Sequence, residues 1–476
     1  MKLRNYYSFA IFLFAIFFSM QGTGQDDYYW VGGQGNWSEI SHWATSSGGA
    51  TIHNEIPDGA DNVFFDENSF ESDGDTIFLD AGNNVCRNMT WENLQFKPVF
   101  RGVDTLLFRI YGSLYMHENM VMDYWGQLSF EDTLGGQTVN TAGHRFYNDV
   151  IFNGEGGEWT LLDTLYVQDT NDFIYKKVFL NYGTLITNGE ALIAEGFSSV
   201  KSSDRVLDIR DSEITILGSW QAIGEDLTLY SDNSTIFCVE FITSIDGEYL
   251  VFNDIVITGQ FGGILNNNIR TAHNNVIFNQ SGIVEGNCTI DSLIMNGNPM
   301  DSCLVNGTDT INYANIRSFG RISGEYHDIR KLVCDDFIKF TGNWNHVDSA
   351  FLNGKGLVTG MNDFDYLLFN TEGIMDGTNY CDKAVFSSDG ELYGSNVFDY
   401  LVFASGYNYI FEHDSANTST YKQKILSDFT VIGECEGGLT TLVSDVNTVQ
   451  ALLEYEPTGG FTKEYLVLRD MKIIGE

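Results

Sequence analysis

Asp335 and Asp336 are adjacent, and Asp363 and Asp365 stand two apart, which sets the second pair on one face of a strand. Paired carboxylates suggest glycoside hydrolysis, which needs two carboxyl groups about 5–9 Å apart, one as acid and one as base or nucleophile. With 65 acidic residues in 476, such pairs arise from composition alone. No G-H-G or R-I-K element of the polygalacturonase kind accompanies them. Lyases acting on uronic acids need Lys or Arg to neutralise the sugar carboxylate, yet the only basic pairs are Lys176-Lys177 and Arg330-Lys331. The eight histidines form no H-x-H or H-E-x-x-H, and no G-x-S-x-G surrounds a serine. The sequence therefore assigns no catalytic residue and no resident cofactor or metal.

Two stretches suggest binding. Residues 28–49, YYWVGGQGNWSEISHWATSSGG, hold Trp30, Trp37 and Trp43, which in one plane would stack on a neutral glycan. Their spacings of 7 and 6 place them on no common strand face, so a structural reading competes: a plug over an apolar end. Residues 66–75, DENSFESDGD, carry oxygens at a density suited to weak calcium binding. Phe70 falls where an EF-hand needs Asp or Asn, so a solvated acidic turn is the plainer expectation.

The elements that must position these residues are strands. Helical periodicity is almost absent, and short alternating runs bounded by Asn, Asp or Gly recur. DNVFFD starts at Asp61, NDVIFN at Asn148, NNVIFN at Asn274, DYLLFN at Asp365 and DYLVFA at Asp399. Taking Val276, Leu293, Ile316, Phe337, Leu367, Val385 and Leu401 as successive starts gives a mean spacing of about 21 residues. Propeller blades are about twice as long, and sandwich strands come every 8–12 residues. The spacing predicts an all-β chain, a right-handed parallel β-helix with an N-terminal cap. Asn residues after each strand, and those in NNNIRTAHNN at 266–275, are expected to stack as side-chain ladders. An open coil exposes strand edges, so the Trp-rich stretch is expected to close the first one.

Residues 1–24 read as a signal peptide: Lys2 and Arg4 precede an apolar run at 9–18 that is too short to span a membrane. Residues 25–94 then form the capping module, and 95–476 the β-helix repeats, which read as truncated at the C-terminus. The formal charge of −40 becomes −42 once Lys2 and Arg4 leave, which excludes nucleic acid and anionic lipid as partners. Seven cysteines are scattered without a C-x-x-C, and Cys288 and Cys303 are a candidate pair across neighbouring coils.

The order WVGG, GNW, HWA, then IPDGADNVFFDENSF, then NNVCRNMTWENL, over residues 28–94, resembles the N-terminal module of large secreted surface proteins of Bacteroidota. The later runs are similar to the β-helical region of such proteins. Many members end in a sorting domain for type IX secretion or a gliding-motility-associated domain, and residues 464–476 read instead as strands of a coil, so the chain is expected to be a fragment of a longer protein. The resemblance implies a secreted or cell-surface structural or adhesion protein without catalysis, meeting surface glycans or other extracellular proteins. The alternative is a carbohydrate-active enzyme or glycan-binding module on the same scaffold. Eight D-[ST]-apolar triplets resemble the O-glycosylation sequon of that phylum, with acceptors Thr76, Thr105, Thr133, Thr164, Ser292, Thr310, Ser349 and Ser415. Asp at a turn followed by Thr entering a strand produces the same triplet unaided.

Overall fold

The computed structural model describes residues 24–475 apart from 81–83, 169–175, 240–242, 260–262, 298–302, 414–421, 435–437 and 457–459. The expected signal segment thus lies outside the described residues except for Gly24. The rest is a parallel β-solenoid, as the repeat predicts. Each strand pairs in parallel with strands one coil before and one coil after, as in Ile338–Leu352 with Gly356–Phe369. The antiparallel exception among the named strands is Asp27–Trp30 with Trp43–Ala44, at the N-terminal end.

One coil shows how sequence makes the shape. In Gly356–Phe369, residues 356–359 alternate inward and outward, and Val358 points into the core. Residues 360–362 turn a corner. Phe364 points inward between the outward Asp363 and Asp365. Asp365 and Tyr366 both face out, which breaks the period of two and bends the chain a second time. Leu367 and Phe369 then point inward, and a turn leads to Gly373 of the next coil.

The ladder of inward residues corrects the spacing read from sequence. Val276, Leu293, Ala314, Leu332, Ala350, Leu367, Ala384 and Leu401 stand in register and are all buried. Seven steps, not six, separate Val276 from Leu401, a mean of about 18 residues. Ile316 and Val385 are neighbours of the true ladder residues Ala314 and Ala384. Phe337 belongs to a turn, where it stacks on Phe319 at 5.2 Å. Alternating Leu with Ala lets successive layers interdigitate.

The corner at 360–362 repeats over residues 286–396 as Gly, one or two outward residues, then a buried residue, Cys288 in the first and polar in the rest. Its members begin at Gly286, Gly307, Gly324, Gly342, Gly360, Gly377 and Gly394. The buried polar residues form a stack. Asn345 donates its amide to Asn362 Oδ1 (2.9 Å), Asn362 to Asn379 (3.0 Å), Asn379 to Asn396 (2.9 Å) and Asn396 to Gln423 Oε1 (2.9 Å). Backbone N–H groups of Asn362 and Asn379 donate to the same oxygens, so the amides also satisfy the chain at its corner. Outward Asn residues form ladders as expected: Asn370 to Asn353 to Asp335, Asn296 to Asn279, and Asn181 to Asn153 to Glu131. In the stretch 266–275, Asn274 and Asn275 both donate to Asp254, while side chains 266–272 lie outside the described ones.

Glycine is required at the corner by direct contact. A Cβ on Gly360 (φ 100°) would meet Gly342 O at 2.0 Å, and one on Gly377 (φ 120°) would meet Gly360 O at 2.2 Å. Backbone cannot retreat without opening the ladder. Gly360→Ala is expected to cost about 1–3 kcal/mol, from overpacking and the disfavoured backbone, measured as a drop in the denaturant midpoint.

The coil shortens toward residues 345–396 and lengthens again beyond, where Asn396 pairs with Gln423 27 residues on. Hydrogen-bonded partners one coil apart are 26 residues apart at Asn62 and Asn88, 22 at Thr141 and Asp163, and 17 from Asn345 to Asn396. The parallel ladder also crosses residue 94 unbroken, running through 62–65, 89–91 and 114–115. Coils therefore begin inside the stretch expected to be a separate cap.

Candidate functional site

The tryptophans offered as a glycan platform are inside the protein, which corrects that expectation. Trp30, Trp37 and Trp43 are 0–1% exposed. Trp43 meets Trp30 edge-on at 5.0 Å and Trp37 at 4.8 Å, and Trp37 meets Phe108 of a following coil at 5.1 Å. Trp30 Nε1 donates to Gly33 O and Trp43 Nε1 to Trp37 O. No ring face is open to a sugar; the three rings plug the first coils. In the acidic loop at 66–75, Asp66 and Asp75 turn their oxygens to the loop's own backbone, while Glu67, Glu71 and Asp73 are exposed. Asp75 Oδ2 accepts from the Glu71 and Ser72 amides, and Asp66 Oδ1 from the Asn68 amide. Burial would raise the Asp75 carboxyl, but these bonds outweigh it and hold the group below its usual range.

Of the triplet acceptors, Thr105, Thr133 and Thr310 are exposed, and Thr164, Ser292 and Ser349 are half-buried. Thr76 is buried, with its hydroxyl donating to Gly74 O, and Ser415 lies outside the described residues. Cys86, Cys238, Cys334 and Cys381 are buried free thiols, and burial lifts Cys238 to about 12. Cys288 and Cys303 do not face each other: Cys288 is in register with Thr271, whereas Cys303 is in register with Gly320 on another face, its sulfur 3.3 Å from Ser318 Oγ.

The chemistry that does gather lies on the lateral face beside the glycine corners. On three consecutive coils the outward positions read Tyr326, Asp328, Arg330; then Trp344, His346, Asp348; then Met361, Asp363, Asp365. Asp328, His346 and Asp363 are in register across the coils. His346 Nε2 lies 3.2 Å from Asp348 Oδ1, and its Nδ1 lies 3.6 Å from Asp363 Oδ2. The expected pair Asp363 and Asp365 thus shares an outward face. Asp335 and Asp336 do not converge: one accepts from Asn353, and the other accepts from the Phe337 amide. A cavity of about 290 Å³ opens beside His346 and Asp348, walled also by Asn312, Asp328 and Arg330.

Electrostatics on this face are dominated by aspartate. Asp365 is raised above the usual carboxylate range by partial burial, and the neighbouring Asp382, Asp348 and Asp363 add to this against the opposing pull of His346. Burial and hydrogen bonds to Asp399 and Asp382 push the Tyr380 phenol up as well. Beside the aspartates, Lys331 lies over the rings of Tyr313 and Phe351, and Lys383 over Tyr366.

Aromatic residues crown the same corner. Trp344 is 57% exposed at φ 63°, and Tyr326 is 60% exposed at φ 64°. A bulky side chain in the left-handed region is strained, and here the strain holds an aromatic ring in solvent. The signal in sequence was faint: G-E-Y-H and G-N-W-N differ from G-M-N and G-T-N by one inserted aromatic.

A second, wider groove of about 910 Å³ lies nearer the N-terminus. Glu155, Asp204, Glu225 and Asp226 line it with Tyr182 and Arg205. The Arg205 guanidinium is buried and engaged with Ser203 O, Ser199 Oγ and Ile223 O, so it braces the coil rather than facing a ligand. No helix among the described residues is long and apolar enough to cross a membrane. No protein-family model, no curated protein and no solved structure matches the chain.

Proposed function

We propose that this chain is a secreted, non-catalytic repeat scaffold of a cell surface or its surrounding matrix, acting as a stalk or adhesin. The observation that carries the reading is the repeated corner. Six successive coils, from Gly307 to Gly394, each close the core at one corner with a glycine and a buried polar residue, which leaves the lateral face free to vary without loss of the fold. Such a surface works by reach and by many weak contacts, whose combined strength exceeds that of each. The resemblance of residues 28–94 to secreted surface proteins of Bacteroidota supports export, and the acidic surface suits solubility outside the cell.

Glycan binding on the same scaffold is favoured by one specific observation, the exposed Tyr326 and Trp344 beside Asp328, Asp348 and Asp363. Aromatic faces stack on the apolar faces of sugars while carboxylates accept from hydroxyls. A glycan array probed with the mature chain, together with Tyr326→Ala and Trp344→Ala, tests both readings. Binding without cleavage, lost in Trp344→Ala while the melting temperature holds, is the result expected of a glycan-binding adhesin. Release of sugar fragments from any glycan would overturn the non-catalytic reading.

A further inference from the structure

We infer that His346, Asp348 and Asp365 form a binding site for one divalent transition-metal ion, with zinc as the test case, while Asp363 lies against the Nδ1 side of the same imidazole and orients it. The residues make a box on two neighbouring strands, H-x-D at 346–348 above D-x-D at 363–365. Period-two alternation turns both members of each motif outward, and the 17-residue step between coils sets His346 in register with Asp363. One ligating atom each from His346, Asp348 and Asp365 lies within 4.8 Å of the others. Metal–ligand bonds of about 2.0–2.2 Å set tetrahedral donor atoms about 3.4 Å apart, an approach of up to about 1.4 Å that rotation of these exposed side chains covers.

The donor set points to the kind of ion. An imidazole with carboxylates suits zinc, whereas calcium and magnesium favour oxygen alone. The aspartates also stand where charge repulsion is strongest. Asp348, Asp365, Asp382 and Asp399 occupy equivalent outward positions on four successive coils, between ladder residues that pair directly. Like charges opposite one another destabilise a sheet, and a bound cation at the His346 end relieves that. His346 supplies the nitrogen ligand that the other coils lack, which confines the site to one place in the stripe. The side chains of His346 and Asp348 are 41% and 44% exposed, so an ion reaches them directly and keeps positions open for water or an external oxygen ligand.

The test is calorimetric titration of the chelator-stripped chain with zinc chloride, in excess calcium to occupy diffuse sites on the acidic surface. One saturable zinc site is expected. His346→Ala and Asp365→Asn should each weaken it about tenfold or more. Asp335→Asn, in a turn outside the stripe, should leave it unchanged, and melting curves confirm that all three variants fold. No saturable site, displacement of zinc by calcium, or equal affinity in His346→Ala and wild type would overturn the inference.

Discussion

Trp37→Ala is expected to destabilise the N-terminal coils by about 3–5 kcal/mol and to leave every glycan interaction as it was. Trp37 is 1% exposed and lies between Trp43 at 4.8 Å and Phe108 at 5.1 Å. Removing the indole opens a cavity at the junction of the antiparallel end with the first parallel coils. The surrounding rings are held by their own bonds, as Trp43 is to the Trp37 carbonyl, so the cavity collapses only in part. Trp37 Nε1 has no hydrogen-bond partner among the described residues, so Trp37→Phe removes an unsatisfied polar group along with volume and costs less. Because a solenoid's coils depend on their immediate neighbours, the loss concentrates at one end. Hydrogen exchange at the amides of Asp27–Trp30 and Asn62–Phe65 should accelerate, while those of Gly356–Phe369 stay protected. Binding lost with protection unchanged would restore the view of these tryptophans as a sugar platform.

Asp309→Asn is expected to stabilise the chain by about 2–4 kcal/mol above pH 7 and to have no effect near pH 4. Asp309 occupies the polar stack two coils before Asn345, between Cys288 and His327. Its geometry copies that of the amide members. In Asn362, the backbone nitrogen and the side-chain nitrogen both donate to Asn379 Oδ1. In Asp309, the backbone nitrogen donates to His327 Nδ1 at 3.2 Å, and Oδ2 lies 3.4 Å from the same atom. That oxygen is buried without a hydrogen-bond partner among the described residues, and it stands where the others have an N–H. Burial accordingly raises the carboxyl to about 7, against the pull of the Cys288 amide.

Below about pH 4 the folded and unfolded chains both hold this proton, and Asp309 carries no penalty. Between about 4 and 7 the folded chain keeps a proton that the unfolded chain has lost, so stability falls as pH rises. Above 7 the buried carboxylate is charged and the penalty is complete. Burial also keeps the neighbouring His327 below its ordinary value, and its Nδ1 lies 3.4 Å from Asp309 Oδ2, so the two titrate as a pair and the gap reports both. Melting temperatures of wild type and Asp309→Asn across pH 4–8 check this: the gap should open with rising pH, and a constant gap would refute it.

The fold was legible because its core is written locally. Runs such as NNVIFN and DYLLFN put an apolar residue, a Phe and a terminal Asn where one strand and one outer ladder need them. One coil was passed over because its ladder residue is Ala350 in HVDSAFL, and a small residue carries no hydrophobic signal even where packing demands one. The corners hid for another reason: the insertions at Tyr326 and Trp344 break the period of Gly-x-Asn. Only the bulge between Asn343 and Asn345 restores register in the structure. The tryptophans of residues 28–49 were legible as rings but not as to their direction, since that depends on Phe65 and Phe108 closing over them. The His346 box was the least visible. H-x-D and D-x-D lie 17 residues apart and become one cluster only when the coil length is known.

The orientation of the strands decides how the molecule bears a load. Strands run across the long axis, so the hydrogen bonds between coils point along it. Tension applied end to end therefore opens these bonds a coil at a time, like a zipper, and never loads a whole ladder in shear. Where the coil is 17 residues long, each event frees a segment about 60 Å in contour. A tether built this way yields in small steps, equal over residues 345–396 and larger where the coils are longer, and absorbs work over a long extension before it parts.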